Sequence, residues 1–225
     1  MASDDPPIVT SPRIVRFADL ASTDLHRDTI YEGGTAGHYG DEPIHHMLPV
    51  GNQGGIRYAG PADRCRLVVL FSILDHQDWP DHIDEVTGVV TYYGDNRDGA
   101  RAALDQKGNR AVREIFRRGF ATREARAECP PFLLFTRADE PGLPKRSQRF
   151  RGLAVPGAIG VPPEDWLVMK WFETPSGRFE NYQLTLTLLN APTVPRRWID
   201  DVLAGRTASA HCPPQYAKWV REGLR

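Results

Sequence analysis

Residues 66–74 read Arg-Leu-Val-Val-Leu-Phe-Ser-Ile-Leu, an apolar run bounded by polar residues, which is the pattern of a strand buried on both faces. Residues 87–93, Thr-Gly-Val-Val-Thr-Tyr-Tyr, combine β-branched and aromatic side chains and close on Gly94-Asp95-Asn96, so a second strand ends in a turn there. Residues 132–136, 149–155, 167–173 and 179–189 predict four more strands. In the last, Tyr182-Gln-Leu-Thr-Leu-Thr-Leu alternates with period two and gives one buried and one polar face. Helical spacing is rarer. Ala111, Val112, Ile115 and Phe116 share one face of residues 109–118, and residues 198–203 and 215–222 read as short helices. Mostly strand with few short helices predicts an α+β domain built on a curved sheet or barrel.

Residues 1–28, with Pro6, Pro7 and Pro12, read as a loose arm around a short apolar piece at 14–20. The expected domain then spans 29–206, and 207–225 forms a terminal helix or linker. Residues 29–60 are rich in Gly and His, a loop region where backbone can approach a ligand closely. Composition is ordinary for a globular chain of 225 residues, 40% hydrophobic and 9% aromatic. No apolar run approaches the roughly 20 residues of a membrane span, and the N-terminus lacks the basic and apolar regions of a signal peptide. A cytoplasmic protein with no membrane partner is the expectation. Cys65, Cys129 and Cys212 are odd in number and far apart, which predicts thiols rather than a disulfide or zinc framework.

Net charge is −1, but its distribution changes the picture. Residues 97–151 carry 14 Lys and Arg against 7 Asp and Glu, a net of +7, and the remainder carries −8. A basic face on an acidic body suits a nucleic-acid backbone. Arg97, Arg101, Lys107, Arg110 and Arg113 are then the candidate phosphate contacts, with a solvated helix face as the competing reading.

Catalytic patterns are not found. There is no GxSxG, phosphate-loop or GxGxxG sequence, and no deaminase His-x-Glu with Pro-Cys-x-x-Cys. His38, Asp41, His45 and His46 fit no metal-site spacing and read as loop-structuring residues. Neither metal nor organic cofactor is expected.

The segment from Asp75 to Asn96 holds the residue types that reading an extruded cytosine requires. These are flat side chains to replace lost stacking, a carboxylate to accept from the N4 amino group, and space beside C5. Trp79 and Tyr92 could stack, and Asp81 or Asp78 could accept; alternatively the aromatics pack a core and the aspartates cap turns. The order aromatic, acid, Thr-Tyr-x-Gly, then Lys107-Gly-Asn109 is similar to the 5-methylcytosine pocket of SET and RING associated (SRA) domains. That resemblance implies Trp79, Asp81 and Tyr92 around the base. Tyr93 stands where the SRA family commonly has Thr, and Asp95-Asn96 replaces its Ser-Gly run.

A second resemblance covers most of the chain. Pro49-Val-Gly-Asn-Gln-Gly-Gly-Ile-Arg57, Tyr92-Tyr-Gly-Asp-Asn96, Lys107-Gly-Asn109, Arg149-Phe-Arg-Gly-Leu-Ala-Val-Pro-Gly157, Phe179-Glu-Asn-Tyr182 and Cys212-Pro occur in one order. Together they resemble the N-terminal domain of AspBHI-type modification-dependent restriction endonucleases. The resemblance implies an SRA-like fold that flips and reads modified cytosine in double-stranded DNA, most simply 5-methylcytosine. It also implies a separate C-terminal nuclease domain, expected after Arg225, and leaves a homo-oligomer open. It makes Asn52, Gln53 and Arg57 a groove-entering loop, Asp95 and Tyr93 pocket residues and Asn109 a DNA contact, with a plain tight turn at Gly54-Gly55 as the alternative. The competing functions are a chain that is itself a metal-dependent nuclease, and a reader of 5-hydroxymethylcytosine or of phosphorothioate.

Overall fold

The protein is described by a computed structural model over residues 13–74, 80–97, 100–175 and 177–225. Trp79 and Asp78, two of the expected pocket residues, lie outside the described residues.

In chain order the strands are β1 (Ile14–Val15), β2 (Leu25–His26), β3 (Ile30–Tyr31), β4 (Ile56–Ala59), β5 (Leu67–Ser72), β6 (His82–Ile83), β7 (Val89–Tyr93), β8 (Phe132–Arg137), β9 (Gln148–Pro156), β10 (Leu167–Thr174), β11 (Gly177–Leu188) and β12 (Thr193–Val194). The helices are α1 (Ile44–Met47), α2 (Lys107–Arg117), α3 (Arg123–Ala127), α4 (Arg196–Leu203) and α5 (Pro214–Glu222).

One large sheet runs β4-β5-β8-β9-β11-β7-β6, with β10 extending β11 as a hairpin and β3 joined to β9. Among the described residues its ends do not pair, so the sheet is open, not a barrel. The ladder between β8 and β9 is irregular. The register between β8 and β9 shifts at Leu134/Phe135, opposite Gly152, whose φ of 145° only glycine adopts without strain. Five of the six residues of β8 are buried, as a strand covered on both faces should be.

Helix α2 turns Ala111, Val112 and Ile115 inward, and Phe116 meets Phe132 of β8 edge-on at 6.4 Å between ring centres. α4 and α5 close another side through Trp198 and Tyr216, whose hydroxyl donates to the Cys129 carbonyl at 2.7 Å. Residues 13–28, expected as a loose arm, are woven into the same core. Leu20 and Leu25 are buried, β1 pairs with β3 and β2 with β12. Among the described residues, no helix is long and apolar enough to cross a membrane.

β5 and β8 run parallel, so the chain must cross over between them. That crossover carries β6, β7, α2 and α3, and therefore most of the expected site.

Candidate nucleic-acid interface

Where β5, β7 and β8 end, their terminal residues surround a cleft of about 430 Å³. Phe71 and Ser72 come from β5, Tyr92 to Asp95 from β7 and the turn after it, and Arg137 from β8. The loop before β4 adds Asn52 to Gly55, and the chain entering β9 adds residues 145–148. Asp81, Tyr92, Tyr93 and Asp95, all expected near one base, do line this one cleft.

Asp81 is partly buried, and its Oδ1 accepts the Tyr93 backbone N–H at 2.8 Å. Burial pushes its carboxyl up to about 6, against the opposing hydrogen bonds from Ser72 and Tyr93, with the Asp95 charge adding to the rise. A carboxylate with so little water is a strong acceptor for any N–H donor that enters.

Asp95 does something else. Its Oδ1 accepts from the backbone N–H groups of both Gly55 and Ile56 at 3.0 Å, so the carboxylate pins the loop before β4 instead of pointing at a guest. Burial raises its carboxyl as well. The Asp95 N–H donates to Asn109 Oδ1 at 2.8 Å, which begins a knot of three buried asparagines. Asn109 donates to Asn181 Oδ1 at 3.0 Å, and Asn181 donates to the Gly94 and Asn96 carbonyls at 2.8 and 2.9 Å. Asn96 in turn donates to the Glu180 carbonyl at 2.9 Å. A Cβ at position 94 would collide with the side-chain oxygens of Asn109 and Asn181, which is why glycine follows Tyr93 here.

Several expected contacts therefore have other positions. Asn109 is fully buried inside the knot and cannot reach DNA. Arg57 is 5% exposed: it donates to Glu42 Oε1 at 2.6 Å, to the Gly54 carbonyl at 2.9 Å and to the Gly51 carbonyl at 3.3 Å, so it shapes the loop from beneath. Tyr92 is 2% exposed and its hydroxyl donates to the Phe71 carbonyl at 3.0 Å, so its ring is part of the cleft wall with no free face. Tyr93, half-buried and edge-on to Phe172 at 5.6 Å, is the neighbouring tyrosine with ring surface still uncovered.

Asn52, Gln53 and Arg97 do stand at the mouth, with Gln53 and Arg97 exposed. Arg101, Lys107 and Arg110 are exposed away from the cleft. Arg113 pairs with Glu114 at 3.3 Å and borders a separate hollow with Phe116 and Tyr182. The histidines expected to structure their loop lie within it. His38 accepts the Gly40 N–H, His46 Nε2 lies 2.7 Å from the Gly40 carbonyl, and Asp41 accepts backbone N–H groups of Ala36, Gly37 and His38.

The fold also brings residues to the cleft that sequence spacing did not single out. Arg137, Lys145 and Arg146 line the mouth with Arg97, and the Tyr39 ring lies against the Arg146 guanidinium. Gln148 is buried in the wall, donating to Glu42 Oε1 at 2.7 Å while its own Oε1 has no partner. The signal available was modest: Lys145-Arg146 follow Pro-Gly-Leu-Pro in a turn that had to be solvent-facing. The result is a polarised cleft, with acceptors (Asp81, Gln148 Oε1) deep inside and cations around the rim.

Residues 25–225 match the family described as restriction endonuclease AspBHI N-terminal. Among solved structures, the DNA recognition domain of the cytosine modification-dependent restriction endonuclease LpnPI is 33% identical with a TM-score of 0.83, covering 95% of each chain. The DNA modification-dependent restriction endonuclease AspBHI is 37% identical with a TM-score of 0.82 over 93% of this chain. The MspJI restriction endonuclease, solved with a 27-mer oligonucleotide, shares the fold at 24% identity and a TM-score of 0.68 over 90% of this chain. This chain spans about half the length of the latter two, 53% of AspBHI and 52% of MspJI. No curated protein matches it.

Proposed function

The chain belongs to the family of AspBHI N-terminal domains, and on that premise we propose that it recognises modified cytosine in duplex DNA, taking the base out of the helix into the cleft between β5, β7 and β8. The observation that carries this reading is the polarity of the cleft: acceptors at its floor, cations at its mouth. A flipped cytosine presents the matching pattern, with an N4 amino donor at its far edge and an anionic backbone at its near one.

Asp81 takes the N4 amino group. Thymine, which carries an acceptor oxygen at that position, would set acceptor against acceptor and be rejected. Gln148 Oε1 offers a second buried acceptor, and Phe71 and Ile73 give apolar surface for the 5-substituent. Tyr93 and Trp79 supply the stacking, at about 1–3 kcal/mol per base, against the few kcal/mol spent on extrusion. The chain then serves as the specificity part of a cytoplasmic restriction system whose cutting is done by another domain, a reading supported by its likeness to the DNA recognition domain of LpnPI.

The test is competition binding with duplexes identical except for one cytosine, 5-methylcytosine or 5-hydroxymethylcytosine. The reading requires tighter binding of a modified duplex, abolished in Asp81→Asn. Equal affinities for all three duplexes would overturn it.

A further inference from the structure

We propose that Arg146, whose guanidinium lies over the Tyr39 ring at the mouth of the cleft, is a clamp for the phosphate next to the extruded base. The inference rests on the cleft being the base site and adds the anchor that fixes the nucleotide's backbone. The Arg146 guanidinium carbon lies 4.8 Å from the centre of the Tyr39 ring. A guanidinium held over an aromatic ring by cation–π attraction makes no hydrogen bond to it, and the fork of its N–H donors matches two phosphate oxygens.

Arg146 has that edge to offer. Neighbouring arginines are neutralised: Arg57 by Glu42, Arg149 by Glu140, and Arg151 by Asp28 and Glu85. Among the described residues Arg146 has no carboxylate partner, although it is only partly exposed. Tyr39, 56% exposed, is a large aromatic ring standing in solvent with a cation over one face.

Both halves are held in place. Asp41 draws in the Ala36, Gly37 and His38 amides and so fixes the loop that carries Tyr39. Behind Arg146, Gly33 packs so closely that a Cβ there would lie 2.8 Å from the Arg146 carbonyl carbon. The Gly33 N–H donates to Ser147 Oγ at 3.0 Å and ties that segment to the same loop. A preset guanidinium loses less conformational freedom on gripping an anion than a free one does. The rim position then matters: the carboxylate deep in the cleft repels a phosphate, while Arg146 and Lys145 at the mouth attract it.

The experiment is a cycle of protein and DNA changes. Duplexes carry one 5-methylcytosine with all phosphates intact, with a neutral methylphosphonate immediately 5′ or 3′ of it, or with the methylphosphonate ten base pairs away. The full chain and Arg146→Ala are titrated against each. The clamp requires wild type to lose roughly tenfold or more on one adjacent methylphosphonate, Arg146→Ala to lose about as much on the intact duplex, and the two losses not to multiply. The salt slope should fall by about 0.9 in the variant. Arg146→Lys, which keeps the charge and guards against a folding defect in Arg146→Ala, should fall between the two.

Losses that multiply, or coupling to the distant methylphosphonate instead, overturn the clamp. If wild type prefers 5-methylcytosine but shows no coupling, only the clamp fails. If coupling persists without a preference for 5-methylcytosine over cytosine in the same duplex, the clamp beside the extruded base stands and only the reading of the 5-substituent fails.

Discussion

Asp95 Oδ1 lies 3.0 Å from the amide nitrogen of Gly55, and the same oxygen takes the next amide, Ile56, at the same distance. One carboxylate from the end of β7 thus decides where the loop before β4 stands at the cleft mouth. Asp95→Ala leaves those amides without an acceptor, at about 1–3 kcal/mol for each that stays buried. Urea unfolding should show that loss, and affinity for modified DNA should fall with it, because Asn52 and Gln53 lose their position. Unchanged stability would mean that the loop is fixed by Arg57 alone.

Asp81 carries a cost to the fold that its proposed role in taking the N4 amino group would explain. Its folded carboxyl sits at about 6, above the ordinary value of 3.8, so the native state binds this proton more tightly than the unfolded chain does. Its effect on stability therefore becomes more favourable as pH falls from 7 towards 4, and is least favourable above 6. Asp81→Asn should stabilise the protein at pH 8 by on the order of 1–3 kcal/mol while weakening modified-DNA binding. In wild type, binding should weaken as pH drops through 6 and the anionic acceptor is lost. The variant should show no such step between pH 5.5 and 7.5, and a step of equal size in both proteins would assign the titration to another group.

The two adjacent tyrosines should separate stability from recognition. Tyr92→Phe removes the hydroxyl that donates to the Phe71 carbonyl and should lower stability by about 1 kcal/mol with preference for modified DNA intact. Tyr93→Leu and Trp79→Ala should each weaken modified-DNA binding by about 1–3 kcal/mol with little change in the melting temperature. Reversed results for Tyr92 and Tyr93 would place the base on the other face of β7.

The exposed cations of α2 are expected to follow the duplex backbone away from the flipped base. Replacing Arg110 and Arg113 together by Ala should lower affinity for modified and unmodified DNA alike, and flatten the salt slope by about 0.9 for each phosphate no longer neutralised. A slope identical to wild type would leave α2 a solvated face.

Much of this was legible in the sequence wherever a strand is long enough to write its own pattern. β5, β7, β8, β9, β10 and β11 all coincide with apolar runs or alternations, and α2 with a helical stripe. The two-residue strands β1, β2, β3, β6 and β12 left no such trace, because two residues are too few to show an alternation, and some partners are far along the chain; β2 meets β12 across more than 160 residues. The site divides the same way. Asp81, Tyr92, Tyr93 and Asp95 fall within one short stretch, so sequence could group them. Tyr39 and Arg146, or Glu42 and Gln148, meet only when the fold brings the segments around residues 40 and 147 together. Arg57 looked like a free cation because the acid that neutralises it, Glu42, is hidden in the histidine-rich loop.

The asparagine knot behind the cleft contains no charged side chain. Asn96, Asn109 and Asn181, all with buried side chains, join β11, the turn after β7 and the first turn of α2 by neutral hydrogen bonds. Ionic strength and proton concentration, the two variables expected to govern the grip on nucleic acid, have almost no purchase on such a joint. The knot is therefore expected to keep its geometry at salt concentrations that release DNA, so each new encounter would meet β7, β11 and α2 in the same arrangement.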